Sequence, residues 1–199
     1  MPTERTPQHE RRAQTRAALL RAAGQVFAEH GYHGATLEDV YRGAGVSRGA
    51  LYHYFSSKRE LFAALLADRL ADAAAAADFE TLGDGADPIA TFLHRVGRDP
   101  RWLPLLLEFL ALGARDVATG ESVRTHFIRP ARGIAAAATA GLTGDDTVLS
   151  AEELAITTTA LINGLAIERA FDPDAVPEDL GARVFAVLTA GLRSAADPR

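Results

Sequence analysis

The chain has 199 residues, 48% of them hydrophobic, with no cysteine and a formal net charge of −5. That is ample apolar material for a sizeable core, and the lack of thiols excludes disulfides, thiolate metal sites and thiol catalysis. No run approaches about eighteen apolar residues and Met1–Arg12 is polar, so a soluble, cytoplasmic protein with no membrane partner is expected.

The charge is unevenly spread. Residues 1–60 carry nine Arg/Lys against six Asp/Glu, a surplus of three, while the remainder has twelve against twenty. A positive head on an acidic body would be oriented toward polyanions by its own field. Alanine and arginine dominate and Lys58 is the sole lysine, which points to a GC-rich bacterial genome.

Residues 1–9 hold two prolines and no apolar periodicity, the composition of a flexible arm. From about Glu10 to His30, Leu19, Ala23, Val26 and Phe27 recur at helical spacing, and Gly31 is a suitable stop. Thr36 then reads as the N-cap of a helix over Leu37–Arg42, with Asp39 in the reciprocal capping position. Ala44-Gly45 supplies a turn, and Ser47 caps a second helix of about two turns. Leu51 and Phe55 fall on the inner side of that helix, and Arg48, Gly49, Tyr52 and His53 on the outer one. Two short helices joined by a glycine turn, the second polar on its outer face, are the parts of a helix-turn-helix. Arginine can pair with guanine, glycine admits close approach of the backbone, and the Tyr52 hydroxyl and His53 ring can donate to phosphate or a base edge. The alternative is a surface helical hairpin whose aromatics cover a small core.

The longer string favours the first reading. Phe27-Ala28-Glu29-His30-Gly31-Tyr32, Thr36-Leu37-Glu38-Asp39-Val40, the run Ala44 to Phe55, and Ser57-Lys58-Arg59-Glu60-Leu61 together resemble the DNA-binding signature of the TetR family of bacterial regulators. The resemblance covers about sixty residues. It implies phosphate contacts for Thr36, Ser47, Tyr52 and Lys58 and base contacts for Arg48, Gly49, Ala50 and His53, with Tyr54 in the same DNA-binding set. Two departures stand out: Tyr41 replaces a usual alanine, and Gly43 shortens the first helix of the pair.

Beyond the head, Ser57-x-x-Glu60 is a capping-box pattern opening a long helix to about Ala77. A Gly/Asp loop at Thr81–Asp87 follows, and helices are expected at about 88–97, 101–117, 121–140, 152–171 and 177–195. Strand-type alternation is absent. The fold class is therefore all-α: an arm (1–9), a helix-turn-helix head (10–56), a connecting helix (57–80) and a helical regulatory and dimerisation body (81–199).

The helix from Trp102 to Leu112 is apolar around most of its circumference, with Arg101, Glu108 and Arg115 on one polar stripe. That stripe is either a solvated edge or, at Glu108, the wall of an apolar cavity. His94, Trp102, Glu108, His126, Thr158 and Asn163 are the candidate ligand-binding residues. Thr157, Ala160 and Gly164 form a small-residue strip, and Leu180, Val184, Leu188 and Leu192 (with Val187) line the last helix. Resemblance to the family implies that the last two helices pair across a homodimer; packing within one subunit is the alternative.

No paired-histidine helix, nucleophile elbow, phosphate loop or dinucleotide fingerprint is present, so neither an enzyme nor a cofactor or metal centre is expected. The expected function is a DNA-binding transcriptional regulator, a repressor released from a pseudo-palindromic operator by a small effector. A ligand-independent architectural or autoregulatory dimer is the second possibility.

Overall fold

A computed structural model describes residues 8–77, 101–143, 147–177 and 179–194, and over these the chain is helical with no strand. In chain order the helices are α1 (Gln8–Gly34), α2 (Leu37–Gly43), α3 (Arg48–Tyr54), α4 (Lys58–Ala77), α5 (Trp102–Arg115), α6 (Val117–Val123), α7 (Arg129–Ala138), α8 (Ala151–Phe171) and α9 (Leu180–Ser194). The expected arm and the expected helix at 88–97 lie outside the described residues, except that α1 begins at Gln8.

The first three helices and the start of α4 make the head. Leu19, Leu20, Ala23 and Phe27 of α1, Val40 of α2, Leu51 of α3, and Leu61, Phe62, Leu65 and Leu66 of α4 are all buried together. The same cluster runs on without interruption into the body through Leu105, Leu106 and Phe109 of α5, Val123 and Phe127. One apolar core thus seats the body directly on the head.

One expected helix is divided in the structure. The helix expected over 121–140 begins at Val117, because Asp116 is extended (φ −127°, ψ 121°) and its carboxylate accepts from the Thr119 amide at 2.7 Å. It is then interrupted by a π-helical turn at Arg124–Ile128. Pro130, at the start of α7, has no N–H to give the carbonyl four residues back and would crowd it. A wider turn at Arg124–Ile128 relieves that conflict. The other elements keep their places: α8 opens on a full capping box of Ser150 and Glu153 and ends at Asp172, before Pro173.

Candidate nucleic-acid interface

The helix-turn-helix is built from its caps. Thr36 Oγ1 accepts from the Asp39 amide at 3.1 Å, and Ser47 Oγ accepts from the Ala50 amide at 3.1 Å. The Asp39 carboxylate takes the Thr36 hydroxyl at 2.5 Å rather than the backbone amide a reciprocal box would use. Between the helices Gly45 sits at φ +67°, left-handed backbone that a side chain would strain. The turn is closed by the Val46 amide on the Tyr41 carbonyl at 3.0 Å.

These constraints fix how α3 faces. Leu51 is fully buried and Phe55 nearly so, while Arg48, Gly49, Tyr52 and His53 are all exposed on the opposite side. Ala50 and Tyr54 are half-buried at the edges. The Arg48 guanidinium lies over the Tyr52 ring, 5.5 Å from its centroid, which orders a long cationic side chain on an open surface.

Lys58 is more constrained than the sequence indicates. Its ammonium donates to the carbonyls of His33 (3.2 Å) and Ala35 (3.0 Å) and lies 4.7 Å from the centroid of the Tyr32 ring. One of its three donors is left over. Ser57 caps α4 through the Glu60 amide, but the Glu60 carboxylate reaches past it to the amide and hydroxyl of Ser56. Those Ser56 hydrogen bonds, with a smaller contribution from His126, hold the Glu60 carboxyl below its ordinary range.

Comparison with known proteins agrees with this geometry. Residues 19–65 match the family of bacterial regulatory proteins of the tetR type, and residues 87–195, more than half of the chain, match the C-terminal domain of BetI-type transcriptional repressors. The chain belongs to the TetR family. The activator FasR of Mycolicibacterium smegmatis is 48% identical over 62 residues, and the repressor AcnR of Corynebacterium efficiens 37% identical over 97. Those matches take in 31% and 47% of this chain, and 26% and 48% of the respective relatives. The fold is also that of a transcriptional regulator from Pseudomonas aeruginosa PAO1 (TM-score 0.70, 23% identity, 97% of this chain and 94% of that one). GusR of Salmonella enterica is similar in the same sense (TM-score 0.66, 21% identity, 96% and 100%).

In this TetR-family chain, four of the six body residues picked out as ligand candidates lie with their side chains among the described residues. His94 and the Trp102 side chain lie outside what the structure describes. Glu108 links the body to the head: both carboxylate oxygens accept from the Tyr32 amide, at 3.0 and 2.9 Å. His126 is in the π turn, its Nδ1 at 3.0 Å from the Ser122 carbonyl, and its charge bears on Glu60 of α4. Asn163 is half-exposed, and lies roughly 140° around α8 from Thr158. Among the described candidates Thr158 is the deeply buried one, at 1% exposure, and its hydroxyl has no hydrogen-bond partner among the described residues. Its neighbour Thr159 bonds back to the Ala155 carbonyl; Thr158 does not. Among the described residues no three His, Asp or Glu side chains are gathered as a metal would need, and no helix is long and apolar enough to cross a membrane.

The family's last two helices leave an apolar face open. On α8, Ile156 (37% exposed), Ala160, Gly164, Ile167 and Phe171 (79%) share one arc, and a Cβ on Gly164 would meet nothing within 4 Å. On α9 the open positions are Val184 (38%) and Val187 (73%), with Leu180 and Leu188 half-buried. Thr157 is exposed beside this face and spends its hydroxyl on the Glu153 carbonyl. Leu192 corrects the expected interface set: at 4% exposure it faces the subunit's own core. Val187 and Phe171 are the more prominent apolar groups, and their spacing from Val184 and Ile167 is the signal that marks them.

Proposed function

We propose that the protein is a dimeric DNA-binding transcriptional repressor released from a pseudo-palindromic operator by a small-molecule effector. The observation that carries the reading is α3 itself, anchored by Leu51 with Arg48, Gly49, Tyr52 and His53 outward. In this arrangement Arg48, Gly49, Ala50 and His53 address base edges in the major groove. Thr36, Ser47, Tyr52, Tyr54 and the remaining donor of Lys58 address the backbone. Repression is favoured over activation by the match of the body to BetI-type repressors.

Dimerisation through α8 and α9 is supported by the apolar face that Ile156, Phe171, Val184 and Val187 leave uncovered, since a two-fold axis would bury each copy against itself. Effector sensing is supported by the unpartnered Thr158 hydroxyl, a buried polar group of the kind that fixes a bound molecule's orientation. An effector would act only through its different affinity for the DNA-competent and incompetent dimer geometries. This favours a sensor over the purely architectural dimer, for which an unsatisfied buried hydroxyl is only a cost.

The deciding experiment selects duplexes from a random library with the full chain and measures Arg48→Ala on the winners. Loss of about 1–3 kcal/mol together with relaxed sequence preference is expected. Unchanged affinity and preference would remove Arg48, and with it this orientation of α3, from the interface.

A further inference from the structure

The break in α1 and the polar stripe of α5 meet at a single hydrogen-bonding centre. Gly31 interrupts α1 with φ +66° and ψ 177°, a backbone region essentially reserved for glycine. The helical ladder is lost there, and the Tyr32 amide that follows is taken by the Glu108 carboxylate with both oxygens. A Cβ on Gly31 would lie 3.6 and 3.7 Å from those oxygens, an ordinary contact, so it is the left-handed backbone rather than space that calls for glycine here. Glu108 is aimed by its neighbour: Phe109 is fully buried edge-on to Phe62, with centroids 5.2 Å apart, and Phe62 in turn packs against the rings of Phe27 and Tyr32.

From Tyr32 the contacts lead to the DNA-facing residues without passing along the length of α4. The Tyr32 ring lies against the Lys58 ammonium, which is bonded to the carbonyls of His33 and Ala35. Ala35 is buried and immediately precedes Thr36, the N-cap of α2. We propose that Glu108 is a positioning residue for the head: by gripping the Tyr32 amide, body helix α5 sets where Thr36 and Lys58 stand against the phosphate backbone. The inference rests on the DNA-binding reading for its functional half and on the α1–α2 geometry alone for the other half. A hydrogen bond from an amide to a carboxylate is stronger than one between neutral groups, so a shift of α5 is transmitted to Tyr32.

The test uses the full chain with Glu108→Gln, which keeps one acceptor oxygen, Glu108→Leu, which keeps none, and Arg59→Ala as a control. Arg59 makes a separate, ionic link between α4 and the α5–α6 corner, to Asp116 at 3.7 Å. Amide exchange at Tyr32 and through residues 33–39 should quicken by roughly tenfold or more in the leucine variant, less in glutamine, and not in Arg59→Ala. Binding should weaken by the same factor on a library-selected duplex and on a scrambled one, and the slope of log affinity against log salt should fall by about one. A merely structural loss would instead lower the folded fraction and leave that slope alone. Unchanged exchange at Tyr32, or a loss confined to the selected duplex, would overturn the proposal. If the wild-type chain selects no duplex, the DNA reading fails, while the exchange measurement still decides whether α5 holds the α1–α2 junction.

Discussion

Gly113 of α5 and Gly120 of α6 face each other across the corner at Asp116 with no room for a side chain on either. A Cβ on Gly120 would stand 2.8 Å from the Gly113 carbonyl oxygen, and one on Gly113 2.6 Å from Cγ2 of Val123. The first clash is with backbone, so it is relieved only by moving a helix. Since α5 carries Glu108 and Phe109, that corner also fixes the seat of the body on the head. Gly120→Ala should therefore cost about 1–3 kcal/mol in denaturant unfolding. Gly133→Ala, on α7 with nothing within 4 Å, should gain about 0.4–1 kcal/mol by the loss of backbone freedom in the unfolded chain. Equal effects would show that the hairpin is not close-packed.

The parts of the head that the sequence made legible are those set by neighbours in the chain. Thr36, Gly45 and Ser47 fix caps and turn within three residues of themselves, and the spacing of Leu51 and Phe55 decides which side of α3 is inward. The bond from Tyr32 to Glu108 joins residues 76 apart, and no local pattern could distinguish it from a solvated edge or a pocket wall. Pro130 was a readable cue for the π turn, yet alanine-rich periodicity around it reads as one unbroken helix. On α9 both inner and outer faces are apolar, so sequence alone cannot assign Leu192 and Val187 to opposite sides.

That difference between Leu192 and Val187 separates association from folding. Val187→Asp places a charge on the open face and should shift the chain toward monomer in sedimentation while leaving the far-UV spectrum intact. Leu192→Ala removes buried apolar volume and should cost about 2–5 kcal/mol of stability. A Val187→Asp variant that sediments as wild type would move the self-association surface elsewhere.

Arg48 and Tyr52 divide the recognition surface between specificity and order. Because the guanidinium rests on the ring, Tyr52→Phe keeps the platform and removes only a hydroxyl. It should weaken selected and scrambled duplexes alike, by about 0.5–1.5 kcal/mol for a lost hydrogen bond. Tyr52→Ala also frees Arg48 and should erode sequence preference. Binding curves on both duplexes distinguish the cases, and identical specificity for the two variants would deny the ring any part in placing Arg48.

Two carboxyls on α4 titrate with opposite signs. Hydrogen bonds from Ser56 depress Glu60, so its contribution is present above the ordinary carboxylate pKa and lost as pH falls through the lowered folded value. Burial, and then Asp72, raise Asp68 despite Arg16 at 3.7 Å. Its folded form favours the proton, so stability from this site is present at low pH and lost as pH rises through the raised value. At neutral pH Asp68→Asn should match or exceed wild type in thermal midpoint, and Glu60→Gln should fall below it. Both differences should shrink as pH drops past about 4. An Asp68→Asn variant clearly less stable at neutral pH would mean that the Arg16 pair outweighs burial.

Thr158 offers the sharpest separation of stability from sensing. Its hydroxyl is buried on α8 between Thr157 and Thr159, which both bond back to their own helix, and it is without a partner among the described residues. A buried hydroxyl left unsatisfied costs on the order of 1–3 kcal/mol, and valine has nearly the same shape without the polar atom. Thr158→Val should therefore raise the unfolding free energy of the free protein by about 1 kcal/mol. If the hydroxyl serves an effector, the same variant should lose the thermal stabilisation that a screened small-molecule library gives the wild type, because that stabilisation tracks affinity for the folded state. A gain in stability with an undiminished response would keep Thr158 out of the effector site. A loss of stability would mean that the hydroxyl already has a partner in the folded protein.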